Sequence, residues 1–160
     1  LKTRRVWHYR RGSTQTMTAV FEESDNELRR LLAATKTIAV IGAKEDPTED
    51  AHRVPLYMQR AGYRILPVNP KIDRVLGEPC QPQVDQVTEA VDLVNLFRAS
   101  EHVAAHVDEI LSLNPLPRAV WMQLGIHHGE AARRLRDAGV GVIQDRCIMV
   151  DHRRLLGGSE

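Results

Sequence analysis

Thr37-Ile38-Ala39-Val40-Ile41-Gly42 is the stretch on which the fold turns. It is uncharged and mostly β-branched, and it lacks the polar alternation of a half-exposed strand, so it suits a strand buried on both faces of a parallel sheet. A glycine directly after such a strand opens a turn at the sheet's carboxyl edge, where open parallel sheets bind ligands.

On the amino-terminal side, Asp25 to Ala34 carries Leu28, Leu31 and Leu32 at helical spacing, with Ser24 available to cap the first turn. On the other side, a polar loop with Pro47 leads to a predicted helix over Val54 to Ala61, with Pro55 in its first turn and Gly62 ending it. Tyr63 to Val68 then reads as a strand. A turn-rich stretch from Asn69 to Pro82 follows, then a short helix over Val84 to Glu89. The alternation continues with a strand over Val91 to Phe97 and a helix over Ser100 to Leu113, with Ser100 as its cap. A strand over Ala119 to Leu124, a helix over Glu130 to Ala138 and a strand over Val140 to Gln144 complete it. This order predicts a single α/β domain with a doubly wound, mostly parallel five-stranded sheet and helices on both faces.

The 160 residues, 42% of them hydrophobic, fit one core. No run approaches the roughly 20 apolar residues of a membrane-spanning helix. Cys80 and Cys147 lie far apart without CxxC spacing, so neither a disulfide framework nor a zinc site is indicated, and a reducing, cytoplasmic setting is expected. The net charge of +1 hides an asymmetry: Lys2, Arg4, Arg5, Arg10 and Arg11 crowd residues 1–16 with no acid among them, which leaves the remainder at −4. Arg4-Arg5 is followed by Gly12-Ser13-Thr14-Gln15-Thr16 and not by an apolar export segment. Residues 1–16 are therefore expected to be a dispensable basic tail, with the domain proper over 17–160. A solvated tail is favoured over a nucleic-acid arm, since short basic tails often remain solvated.

The residues just after each strand are the candidates for a site. Gly42-Ala43-Lys44 begins a loop that runs toward a helix N-terminus, where free N–H groups and the helix dipole favour a phosphate, and Arg53 adds a cation. One glycine stands where the dinucleotide fingerprint has three. After the second strand, Val68-Asn69-Pro70-Lys71 lacks the acid that accepts from an NAD ribose and offers a cation instead. That favours a phosphorylated ribose, either the 3′-phosphate of coenzyme A or the 2′-phosphate of NADP. Arg98 follows the third strand and Gly125-Ile126-His127-His128 the fourth, with Phe97 available as an apolar wall.

Several motifs have plainer readings. His127 and His128 lack an accompanying acid or nucleophile. His102 and His106 have i, i+4 spacing but no third ligand, which suits solvated helix histidines better than a metal site. Cys147 suits packing, and Trp121 reads as core.

Taken together, Ile38 to Ala43, His52-Arg53-Val54, Ile65 to Lys71, Asp92 to Arg98, Trp121 to Gly125 and Asp145-Arg146-Cys147 resemble the small CoA-binding proteins related to the nucleotide-binding domain of the succinyl-CoA synthetase alpha subunit. The resemblance spans roughly residues 25–157. It implies a Rossmann-like fold and a site for coenzyme A or an acyl-CoA. In that site Gly42, Ala43 and Lys44 cradle phosphate, Lys71 meets the ribose phosphate, and Phe97, Arg98, Met122, Gln123 and Leu124 line the groove. Lys44 stands where the family commonly has a small hydroxyl residue. The synthetase's phosphorylated histidine belongs to a second domain, so ligase activity does not come with the resemblance. The expectation is a non-catalytic binder of a CoA-type small molecule, working as a homodimer or with a partner protein. An NADP-dependent oxidoreductase and a nucleotide-responsive regulatory protein are the alternatives.

Overall fold

The computed structural model describes residues 23–157; the expected tail over 1–16 lies outside them. Helix α1 (Asp25–Ala34) starts at Ser24, whose hydroxyl accepts the Glu27 N–H, and buries Leu28, Leu31 and Leu32. Strand β1 (Thr37–Ile41) is buried from its second residue onward, as its apolar run requires. It lies between β2 (Arg64–Val68) and β5 (Leu93–Leu96), parallel to both. Beyond β5 come β6 (Ala119–Met122) and β7 (Gly141–Ile143), also parallel. The five-stranded order is β2-β1-β5-β6-β7, so the chain builds one flank of the sheet first and then crosses to the other.

Alternate residues of each strand feed two separate cores. Ala39, Ile41, Val94, Leu96, Val120 and Met122 face helices α3 (Ser100–Leu111) and α4 (Gly129–Asp137), which supply Val103, Val107, Ile110 and Leu135. Ile38, Val40, Leu93, Trp121 and Ile143 face α1, α2 (Asp50–Arg60) and α5 (Ile148–Leu156). Each fully buried aliphatic side chain stabilises the fold by about 1.5–3 kcal/mol, so a sheet buried on both faces accounts for most of the cohesion. Trp121 is wholly buried and its indole N–H donates to the Arg146 carbonyl, as a core tryptophan must.

The structure corrects the sequence reading in several places. Helix α2 begins at Asp50 rather than Val54, which puts Pro55 inside the helix instead of in its first turn. A proline there has no N–H for the Ala51 carbonyl, and the Lys44 N–H of the preceding loop takes that acceptor instead, at 3.3 Å. Ser100 does not cap α3: Ala99 holds the cap position, and the Ser100 hydroxyl accepts the His127 N–H. Val84 to Glu89 forms only a 3-10 turn over Val84–Gln86. The turn-rich stretch before it holds a small hairpin, β3 (Arg74–Val75) with β4 (Glu78–Pro79), whose tip residues Leu76 and Gly77 both have positive φ, as two-residue hairpin loops demand. Helix α5 had not been anticipated. Ile148, Met149 and His152 give it a buried stripe, but no side chain caps its start. Among the described residues no helix is long and apolar enough to cross a membrane.

Candidate functional site

The order in which strands join the sheet reverses between β1 and β5: β1 leads to β2 on one side, and the chain then returns past β1 to β5 on the other. A crevice opens at the carboxyl ends of strands flanking such a switch point, because the loops leaving them diverge to opposite faces of the sheet. Its floor here is the contact between Gly42, which has φ +93°, and the Phe97 carbonyl. The Phe97 N–H also donates to the Ile41 carbonyl at 2.9 Å, so the two strand ends are stitched together where they part.

The first loop is tied down more fully than a free phosphate loop. The Gly42 N–H donates to the Val68 carbonyl at 2.9 Å and the Lys44 N–H to Ala51, so neither is free for a ligand. Ala43 is buried, and its carbonyl accepts from the Asn69 side chain. The Lys44 ammonium pairs with Glu49 at 3.1 Å, and Glu49 occupies the cap position of α2 without making a capping bond. The His52 Nδ1 lies 2.8 Å from the Lys44 carbonyl, which can only accept, so this nitrogen carries the proton. Thr48 donates through its backbone and then its hydroxyl to Asp46, which holds that carboxyl below its usual pKa range. Arg53 is exposed and ion-paired with Asp50.

At the end of β2, Val68 is buried, Asn69 is half-buried, and Pro70 and Lys71 are exposed. Lys71, after β2, and Arg98, after β5, are exposed and take no carboxylate partner among the described residues. Phe97 is half-buried and packs on the α1/α2/α5 side. The residues at the end of β6 divide. Leu124 is 70% exposed, whereas Met122 belongs to the α3/α4 core. The Gln123 side chain is spent on the protein itself, its Oε1 accepting the Ile148 N–H that opens α5. Of this trio only Leu124 has an exposed side chain.

Sequence reasoning missed the fastening of the last loop. Asp145 has φ +59° and its carboxylate accepts the Gly125 N–H at 2.7 Å; the Arg146 guanidinium grips Asp151 through two bonds of 2.7 and 2.9 Å. Burial opposes ionisation of Asp151, but the hydrogen bonds from Arg146 and Arg154 outweigh it and keep the carboxyl below its usual range. The signal was present in the Asp145-Arg146-Cys147 segment, yet its partner Asp151 lay in a helix that had not been recognised. Cys147 is a half-buried free thiol at the start of α5. His128 caps α4 through Nδ1, which accepts the Ala131 N–H at 3.0 Å, and His106 bonds Glu109. Among the described residues no three His, Cys, Asp or Glu side chains converge as a metal site.

The family model of the CoA binding domain matches residues 36–153, from the start of β1 into α5. The chain belongs to the CoA-binding domain family. Within it, this CoA-binding domain is 37% identical over 129 residues to the uncharacterized protein YneT of Bacillus subtilis, covering 81% of this chain and 94% of that protein. A solved protein from Thermus thermophilus is 43% identical with a TM-score of 0.80, covering 83% of this chain and 99% of its own. The CoA-binding domain is also similar to part of the dinucleotide-forming acetyl-coenzyme A synthetase 1 of Ca. Korarchaeum cryptofilum, solved with phosphate and ADP. There the identity is 25% and the TM-score 0.59, over 73% of this chain and 27% of that one.

Proposed function

We propose that this domain binds coenzyme A or an acyl-CoA in the crevice between the carboxyl ends of β1 and β5, and that it acts as a carrier, sensor or partner-dependent subunit rather than as a catalyst. The observation that carries the reading is the end of β2. A ribose-binding carboxylate is missing there, and the exposed cation Lys71 stands in the open, suited to the 3′-phosphate of the CoA ribose. Arg98 supplies a second exposed cation across the switch point, Phe97 an apolar wall and Leu124 an exposed apolar edge.

Because the N–H groups of Gly42 and Lys44 are already bonded, the diphosphate draws on the first turn of α2, where the Asp50 and Ala51 N–H groups take no acceptor among the described residues, and on the Lys44 ammonium once Glu49 yields it. Gly42, Ala43, Asn69 and Pro70 then act as the shape of the site and not as its donors. Membership of the CoA-binding domain family supports coenzyme A over the nicotinamide cofactors.

Calorimetric titration with CoA, acetyl-CoA, NAD and NADP tests the reading, with Lys71→Ala alongside. Selective binding of CoA or its thioester, weakened by Lys71→Ala, is expected. A preference for NADP would transfer the site to oxidoreductase chemistry, and binding of none of the four would overturn the proposal.

A further inference from the structure

Asn69 is joined directly to both loops that the CoA reading brings to the ligand. Its Nδ2 donates to the Ala43 carbonyl at 2.7 Å, across 26 positions of sequence. Its Oδ1 accepts the Lys71 N–H at 2.8 Å, two residues on, closing an Asx turn. Its own N–H donates to the Gln81 carbonyl at 2.9 Å, and Gln81 in turn donates to Pro67 along the outer edge of β2. The carboxamide cannot be reversed, because the Ala43 carbonyl only accepts and the Lys71 N–H only donates.

We propose that Asn69 is a positioning residue that sets Lys71 at a fixed distance from the first loop, and thereby makes the site selective for a ribose bearing a 3′-phosphate without itself touching the ligand. The proposal rests on the CoA reading. A lysine on an exposed loop samples many rotamers, and each must be restricted when a phosphate is bound. Fixing the backbone from which the side chain departs removes part of that cost before the ligand arrives. The bond to Ala43 ties this fixed point to the strand end that carries Gly42, so the two phosphate-facing regions share one brace. Aspartate at this position could accept from Lys71 but not donate to Ala43, and serine could close the turn but is too short to span it.

The test compares CoA with 3′-dephospho-CoA by calorimetry in the wild type, Lys71→Ala, Asn69→Ala and Asn69→Ser, with thermal melts of each. A charge-assisted contact to the 3′-phosphate predicts a wild-type preference for CoA of about tenfold or more. Asn69→Ala is expected to lower that ratio toward the Lys71→Ala value, with both ligands weakened. A residue that merely supported the fold would weaken both ligands in proportion and leave the ratio alone, and that result overturns the proposal. Should Asn69→Ala fail to fold, Asn69→Ser decides: with the bond to Ala43 lost, the ratio is expected to fall part of the way toward the Lys71→Ala value. A ratio equal to that of the wild type would refute the assignment. A wild type that binds neither ligand would instead remove the CoA reading, a failure distinct from the others.

Discussion

Gly42 and Phe97 touch backbone to backbone: a Cβ on Gly42 would stand 2.5 Å from the Phe97 carbonyl oxygen and 3.1 Å from its carbon. No side-chain rotation relieves a clash with main chain, and the φ of +93° is itself one that side-chain-bearing residues avoid. The two strand ends that bound the crevice can approach this closely only with glycine at position 42.

Gly42→Ala is accordingly expected to cost at least about 2 kcal/mol of stability, from the unfavourable dihedral and from the displacement of Phe97. Urea unfolding of the two proteins measures it. A loss within experimental error would mean that the strand ends are not held together as described.

Glu49 occupies the Lys44 ammonium at the mouth of α2, where a diphosphate would otherwise meet it. Glu49→Gln removes a competing negative charge and is expected to tighten CoA binding by about two- to fivefold at low salt, the range of an exposed ion pair. The gain should shrink as ionic strength rises. Weaker binding in the glutamine variant would show that Glu49 supports the loop instead of competing with the ligand.

Asn95 lies in the centre of the sheet, opposite Val40 on one side and Trp121 on the other, fully buried, with neither amide atom hydrogen-bonded among the described residues. A buried carboxamide in that state destabilises the fold, so Asn95→Leu is expected to raise stability by about 1 kcal/mol or more, read from the denaturation midpoint. A fall in stability would show that the amide has a partner such as an enclosed water.

His152 is buried between α2 and α5, its Nδ1 2.9 Å from the Tyr57 hydroxyl and its ring set edgewise to Tyr57 and Tyr63. Burial holds its pKa below the usual range and, with a smaller contribution from Tyr57, pushes the Tyr63 phenol up to about 12. A histidine that resists protonation when folded binds fewer protons than the unfolded chain does. Stability is therefore complete above the unfolded pKa near 6.5 and falls as pH drops through the window below it. Urea midpoints between pH 8 and pH 5 should show this decline, and His152→Phe should flatten it. An equal decline in the variant would assign the pH dependence to other groups.

The sheet was legible in the sequence because its strands are short apolar runs between turn residues, and a strand buried on both faces needs little more specification than that. The same property hid the division of labour at the end of β6. In Trp121-Met122-Gln123-Leu124, burial on both faces leaves no polar alternation to tell a core residue from a groove residue, and the assignment of Met122 and Gln123 is visible only once α3 and α5 are in place. Helix α2 was begun late because Pro55 was given its commonest position in a helix, although Glu49 and Asp50 already supply acidic residues at the true start. The bracing role of Asn69 depends on a partner 26 residues away, which local spacing does not reveal.

Pro55 removes one rung of α2, and the Lys44 N–H fills the vacancy on Ala51. The first loop is thereby buttoned to the first turn of the helix that follows it, so its span from Lys44 to Ala51 is measured against the helix and cannot drift. A surface loop ordinarily tolerates a residue gained or lost, but here a single insertion would unfasten loop and helix together. A tight length constraint thus falls on a stretch that looks, by composition alone, like a free surface loop.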